Sequence, residues 1–96
     1  MELGQLSETL VKRLADSPES FLKGQHYAEL GAVQNLELKE NILTGEVTGN
    51  HGIYVVKVIF ETSGSSFECT CGSKKTVCKH TLAVLWDFLS KRPALV

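Results

Sequence analysis

The chain lacks any long apolar run, and it has little cysteine, proline or tryptophan. No segment approaches the roughly 18 consecutive apolar residues that a membrane span needs, so we expect no membrane partner. The opening residues, MELGQLSETLVKRL, have no basic start followed by an apolar block, and we therefore expect no signal peptide. These absences predict an intracellular, reducing location, with the cytoplasm as the default.

The sequence also lacks the motifs that usually carry catalysis. There is no glycine-rich dinucleotide fingerprint, and GSKKT (72–76) lacks the first glycine and the spacing of a phosphate loop. No separated pair of carboxylates suggests acid–base chemistry. We therefore expect that the protein is not an enzyme and has no small-molecule substrate.

The pattern of apolar residues predicts an α+β fold in one domain, 1–96. Helical spacing over residues 3–15 and a proline-started helix from Pro18 to about Gly31 form a helical lead-in, 1–31. Short β-branched runs at 33–40, 42–48 and 53–61 predict an antiparallel meander within 32–66. FECT (67–70) adds a last strand, and HTLAVLWDFL (80–89) predicts a closing helix that stops near Pro93. The last strand, the cysteines and this helix make up segment 67–91. Leu82, Leu85, Trp86 and Leu89 share one face of the helix.

All three cysteines of the chain lie close to one histidine, in the order Cys69, Cys71, Cys78 and His80. Clustered cysteines in a reducing compartment are metal ligands or catalytic groups more often than they form disulfides. The odd number of cysteines, three, also argues against a disulfide framework. Free cysteines can also be small buried hydrophobic residues. A catalytic cysteine needs a histidine that faces it, whereas residues two apart in a helix do not face each other.

Metal ligation accounts for all four residues together. Three thiolates and one imidazole are a common ligand set for structural Zn²⁺. Cys69 and Cys71 point the same way at a strand end, and Gly72 allows the backbone to turn sharply. Cys78 and His80 enter at the start of the last helix, whose N-terminus favours thiolates. We therefore predict one structural zinc ion held by these four residues.

The pattern C69-T-C71 followed by C78-K-H80 resembles the SWIM zinc finger, which has C-x-C, a variable gap, then C-x-H at the start of a helix. The resemblance extends over roughly residues 20–90, with weaker upstream matches at Phe21, Gly24, Tyr27, Gly31 and Val33. It implies a zinc-stabilised interaction module that binds DNA or proteins. Such modules lie near the N-terminus of prokaryotic Swi/Snf-type ATPases, which are DNA-remodelling and helicase-like enzymes. We expect either such a leading domain or a complete small protein.

Charge is unevenly distributed along the chain, although the whole carries only −1. Residues 1–68 hold five Lys/Arg and ten Asp/Glu, net −5, whereas residues 69–96 hold five Lys/Arg and one Asp, net +4. The basic end predicts phosphate contacts, and a location in the nucleoid or nucleus, if DNA is the partner. The alternatives are protein docking and a solvated basic face. The candidate binding residues are Lys74, Lys75, Lys79, Lys91 and Arg92.

Overall fold

A computed structural model describes residues 6–61, 64–72 and 77–95 of the chain, with side chains up to Lys91. It confirms the α+β class and the order of two helices, four strands and one helix. The elements are α1 (Glu8–Leu14), α2 (Pro18–Glu29), β1 (Val33–Lys39), β2 (Ile42–Gly49), β3 (Gly52–Ile59), β4 (Ser66–Cys69) and α3 (Lys79–Leu95). Among the described residues, no helix combines the length and the hydrophobicity that crossing a membrane requires.

Serine caps set the starts of the first two helices. The Ser7 side chain accepts a hydrogen bond from the Leu10 backbone N–H, so α1 begins at Glu8, later than the predicted residue 3. Residues 3–5 lie outside the described part of the chain. Ser17 caps α2 in the same way, and Pro18 occupies the first position of that helix as predicted. Gly31, with φ of +75°, follows the end of α2.

The four strands form one antiparallel sheet in the order β1-β2-β3-β4, which confirms the meander. Burial alternates along the central strands, so that Leu43, Val47, Val56 and Val58 face the core. The opposite face carries polar pairs such as Thr44 opposite Lys57. One face of the sheet is therefore available to the helices.

Helix α3 is the middle layer of the molecule, because it packs against the sheet on one side and against α1 and α2 on the other. Its side chains are buried nearly all round from His80 to Phe88, whereas the sequence pattern predicted a single apolar face. Leu82 and Leu85 lie in the core as predicted, while Trp86 and Leu89 are half-buried. The helix reaches Leu95, just past Pro93, near which the sequence predicted its end.

A glycine allows α2 to approach α3 closely. A Cβ atom at Gly24 would lie 2.7 Å from Cβ of Leu82 and 3.1 Å from the backbone oxygen of Lys79. Glycine has a lower helical propensity than alanine by about 1 kcal/mol, but it allows a contact between the helices that a larger residue would prevent. This contact sets the position of α2 beside the first turn of α3.

Candidate metal centre

The last strand and the last helix bring the three cysteines and His80 together. β4 ends at Cys69, a turn carries Cys71, and Gly72 takes a φ of +74°, as the sharp turn predicted from the sequence requires. Cys78 directly precedes α3, and its carbonyl oxygen accepts the hydrogen bond from the Leu82 N–H. One ligand atom from each of the four side chains lies within 4.8 Å of all the others, so the cluster can hold one metal ion.

The separations of the sulfur and nitrogen atoms are close to those of a tetrahedral site. Nδ1 of His80 lies 3.8 Å from Sγ of Cys69 and 4.0 Å from Sγ of Cys78. A zinc ion with ordinary bond lengths places sulfur and nitrogen ligands about 3.5 Å apart. Small inward movements of the side chains therefore complete the coordination. Nδ1, and not Nε2, is the nitrogen that faces the sulfurs.

Cys78 and His80 approach each other although they are two residues apart in sequence. Cys78 lies at the cap of α3 and not within it, so the rule that residues i and i+2 diverge on a helix does not apply. Both side chains are buried, whereas Cys69 and Cys71 are half-buried. The centre is therefore closed by α3 on one side and open toward Cys71 on the other.

The pKa values of Cys69 and Cys78 are shifted in opposite directions in the metal-free chain. Burial raises the pKa of Cys69 to about 12, and the neighbouring sulfurs of Cys71 and Cys78 add to this effect. Burial also disfavours the Cys78 thiolate, but hydrogen bonds from His80 and from the side chain and backbone of Thr81 outweigh it and lower its pKa to about 6. At neutral pH Cys78 is therefore the thiolate of the pair, and Cys69 keeps its proton.

Two tyrosines hold the His80 ring from opposite elements. The Tyr54 ring, on β3, stacks on the imidazole with centroids 4.4 Å apart, and the Tyr27 ring, on α2, lies 5.4 Å away. Gly49 makes room for this stack, because a Cβ atom there would collide with the Tyr54 ring. Such outer contacts fix the orientation of a ligand and are part of a metal site.

Sequence reasoning did not connect Tyr54 with the histidine. The period-two pattern of β3 shows that Tyr54 shares a face with Val56 and Val58. Only the register that pairs Val47 with Tyr54 and Gly49 with Gly52 shows that this tyrosine reaches the metal centre.

The five predicted binding residues differ in their surroundings, and the structure does not describe the side chains of all of them. Lys74 and Lys75 lie outside the described residues, as does the side chain of Arg92. Lys79 begins α3 and is half-buried. Lys91 forms an ion pair with Asp87, with Nζ 2.9 Å from Oδ2, and the side chain of Asp87 is only 8% exposed. Much of the charge of Lys91 therefore balances a buried carboxylate.

No protein-family model, no curated protein and no solved structure matches this chain. The metal centre is accordingly defined by its own geometry: three sulfur atoms and one imidazole nitrogen from the end of β4, the following turn and the start of α3.

Proposed function

We propose that the protein is a zinc-stabilised interaction module whose metal ion joins β4 to α3. The observation that carries this proposal is the convergence of four soft or intermediate ligand atoms within 4.8 Å of one another. Thiolate and imidazole donors in a tetrahedral arrangement favour Zn²⁺ over the oxygen-preferring Mg²⁺ and Ca²⁺.

The proposed zinc is structural. Three thiolates and one histidine occupy all four positions of a tetrahedral ion and leave none for a water nucleophile. Two of the four ligands are buried in the layer that holds the core together. The domain then acts by recognition and not by catalysis.

The partner that we propose is nucleic acid, bound through the basic end of the chain. Residues 69–96 carry a net charge of +4 against −5 for residues 1–68, so the two segments differ sharply in charge. The resemblance to SWIM fingers supports a role as an accessory domain of a DNA-remodelling or helicase-like ATPase. Contacts with phosphates, and not with base edges, are the expected mode.

Metal analysis tests the first part of this proposal. We expect about one zinc per chain and S₃N coordination in X-ray absorption. Replacing both Cys69 and Cys78 with serine removes two of four ligands and should abolish stoichiometric binding. Thr70→Ser, which lies between the ligands and keeps the hydroxyl that accepts a hydrogen bond from the Val55 N–H, is the matched control. Stoichiometric zinc in the double variant would refute the ligand set.

Charge reversal tests the second part. Lys74→Glu with Lys75→Glu should weaken binding to duplex DNA several-fold, leave the zinc content unchanged and show little sequence preference. The logarithm of affinity should fall linearly with the logarithm of salt, by about 0.9 per phosphate neutralised. Lys39→Glu with Lys57→Glu, in β1 and β3, carries the same change of charge and should have a smaller effect.

Protein docking is the second candidate, and one observation favours it. Ile53 and Val55, in β3, are 58% and 47% exposed. Apolar residues on an open sheet face mark interaction surfaces when they form a patch. If the chain does not bind DNA even at low salt, docking becomes the better account, and Ile53→Ser should weaken association with the protein partner.

A further inference from the structure

A polar cleft lies beside the metal-binding cluster, where α2 meets the start of α3. Its volume is about 260 Å³, and its lining includes Ser20 and Lys23 from α2 and Lys79 from α3. Tyr54 and three members of the metal-binding cluster, Cys71, Cys78 and His80, also line it. Because the half-buried Cys71 lines the cleft, the cleft connects the metal centre with solvent.

The close contact at Gly24 explains why two lysines far apart in sequence share this cleft. Gly24 packs against Leu82 and the backbone oxygen of Lys79, and Lys23 is its neighbour in the chain. Ser20 is buried one helical turn before Lys23. The helix pair therefore places the backbones of both lysines beside the same cleft without the help of a bound ligand.

The charges in the cleft favour a ligand with a single negative charge. With Zn²⁺ bound, three thiolates and a neutral histidine leave a formal charge of −1 on the centre. Among the described residues that line the cleft, Lys23 and Lys79 add +2, so these residues and the centre together carry a net charge of +1. A phosphodiester matches this charge, whereas a doubly charged phosphate monoester exceeds it.

The Thr81 amide group at the start of α3 is not a source of this positive charge. The thiolate of Cys78 accepts a hydrogen bond from the Thr81 backbone, and its sulfur lies 3.4 Å from the Thr81 hydroxyl. The first turn of the helix is thus directed at the metal ligand. The lysine side chains remain as the groups that can reach an outside anion.

The size of the cleft suits a small group. Pockets for drug-sized ligands measure roughly 300–1,000 Å³, and a metal ion among the sulfurs takes up less space than a water molecule, about 30 Å³. The remainder accommodates one phosphate with part of its sugar. We propose that this cleft binds one phosphodiester group of a nucleic-acid backbone between Lys23 and Lys79, an inference that rests on the proposed nucleic-acid function.

The test compares two doubly neutralised forms of the zinc-loaded chain. Lys23→Gln with Lys79→Gln removes the cleft charges, and Lys39→Gln with Lys57→Gln removes the same total charge from the sheet. The affinity for a short DNA duplex is measured at about 50 and about 200 mM salt. The quantity compared is the affinity at the lower salt concentration divided by the affinity at the higher one. Because the salt concentration rises fourfold and the slope is about 0.9 per phosphate, the loss of one phosphate contact should lower this ratio by about 3.5-fold. The cleft variant should show this decrease, and the sheet variant should keep the ratio of the unmodified protein.

Two results would overturn the inference without affecting the proposed function. One is a cleft variant that keeps the salt ratio of the unmodified protein, while Lys74→Glu with Lys75→Glu still weakens binding. The other comes from the unmodified chain, which removes any concern that a variant has misfolded. On addition of duplex, the backbone amide resonances of Lys23 and Lys79 should shift more than those of Lys39 and Lys57, and equal shifts would contradict the site. If no duplex binds to any form, the proposed function and the cleft assignment fail together.

Discussion

Removal of the metal should destabilise the whole domain and not only the segment that contains the ligands. Two ligands, Cys78 and His80, lie at the start of α3, and α3 is packed against the sheet and both other helices. Without the ion, the buried imidazole of His80 and the buried sulfur of Cys78 lose their shared partner, which is costly in a low-dielectric interior. A disturbance at this end of α3 therefore reaches every layer.

The structure gives the scale of the effect. Four large apolar side chains of α3, Leu82, Val84, Leu85 and Phe88, are at most 1% exposed. At about 1.5–3 kcal/mol each, their burial contributes roughly 6–12 kcal/mol. This is comparable to the total stability of a typical domain, about 5–15 kcal/mol. Zinc binding in finger peptides is worth about 10–16 kcal/mol, so its loss should leave little or no net stability.

The emission of Trp86 is a suitable measurement. The Trp86 ring packs edge-on against Phe21 of α2, with centroids 5.4 Å apart and an interplanar angle of 88°, so it reports the contact between α2 and α3. Denaturant titrations followed by Trp86 emission and by far-ultraviolet circular dichroism should give coincident transitions with zinc. An excess of chelator should move both to much lower denaturant, or abolish them.

The chelator control uses the chain in which Cys69 and Cys78 are both serine. This variant has lost half of the ligand set and should not hold zinc, so a chelator should leave its Trp86 emission and circular dichroism unchanged. The reasoning is refuted if complete metal removal from the unmodified protein leaves Trp86 emission, amide protection and the denaturation midpoint unchanged. The four side chains would then be a packed cluster, and the metal would be incidental to the fold.

Three further predictions concern particular residues. Gly24→Ala should destabilise the protein by about 1–3 kcal/mol, although alanine has the better helical propensity, because the new Cβ meets Leu82. Urea titration measures this change, and Glu19→Ala, at an exposed position of α2, is the control. Gly49→Ala should displace Tyr54 from His80 and weaken metal affinity about 10–100-fold, measured by competition with a chromophoric chelator. Metal binding at neutral pH should release the proton of Cys69, whose pKa is raised to about 12, so the metal affinity should fall as the pH falls. Calorimetry in buffers of different ionisation enthalpy measures the number of protons released. A binding enthalpy that does not depend on the buffer would contradict this prediction.

The order of elements could be predicted because each element carries its own local signal. Ser17-Pro18 starts α2, short β-branched runs give the strands, and two-residue turns join β1 to β2 and β2 to β3. The boundaries of α1 could not be predicted in the same way. Leu6 continues the apolar spacing but precedes the Ser7 cap, so it is buried in the core without belonging to the helix.

The clustering of the four candidate ligands could be predicted from their spacing, whereas the surroundings of the cluster could not. Cys69, Cys71, Cys78 and His80 are close in sequence, so a turn and a helix start suffice to bring them together. Tyr54, Tyr27 and Lys23 come from distant elements and reach the centre through strand register and helix packing. A single sequence contains no local signal for such contacts.

The Gly24 position shows how a local weakness can be a tertiary requirement. Judged by propensity alone, a glycine inside α2 lowers the stability of that helix. In the folded chain the same glycine lets α2 lie against the first turn of α3, where Lys79 lies between Cys78 and His80. The contact also carries Tyr27 to the His80 ring and Lys23 to the cleft. Metal centre, proposed phosphate site and core therefore share one helix–helix contact. If the partner binds at this end of the molecule as proposed, its binding would depend on the same packing as the metal centre.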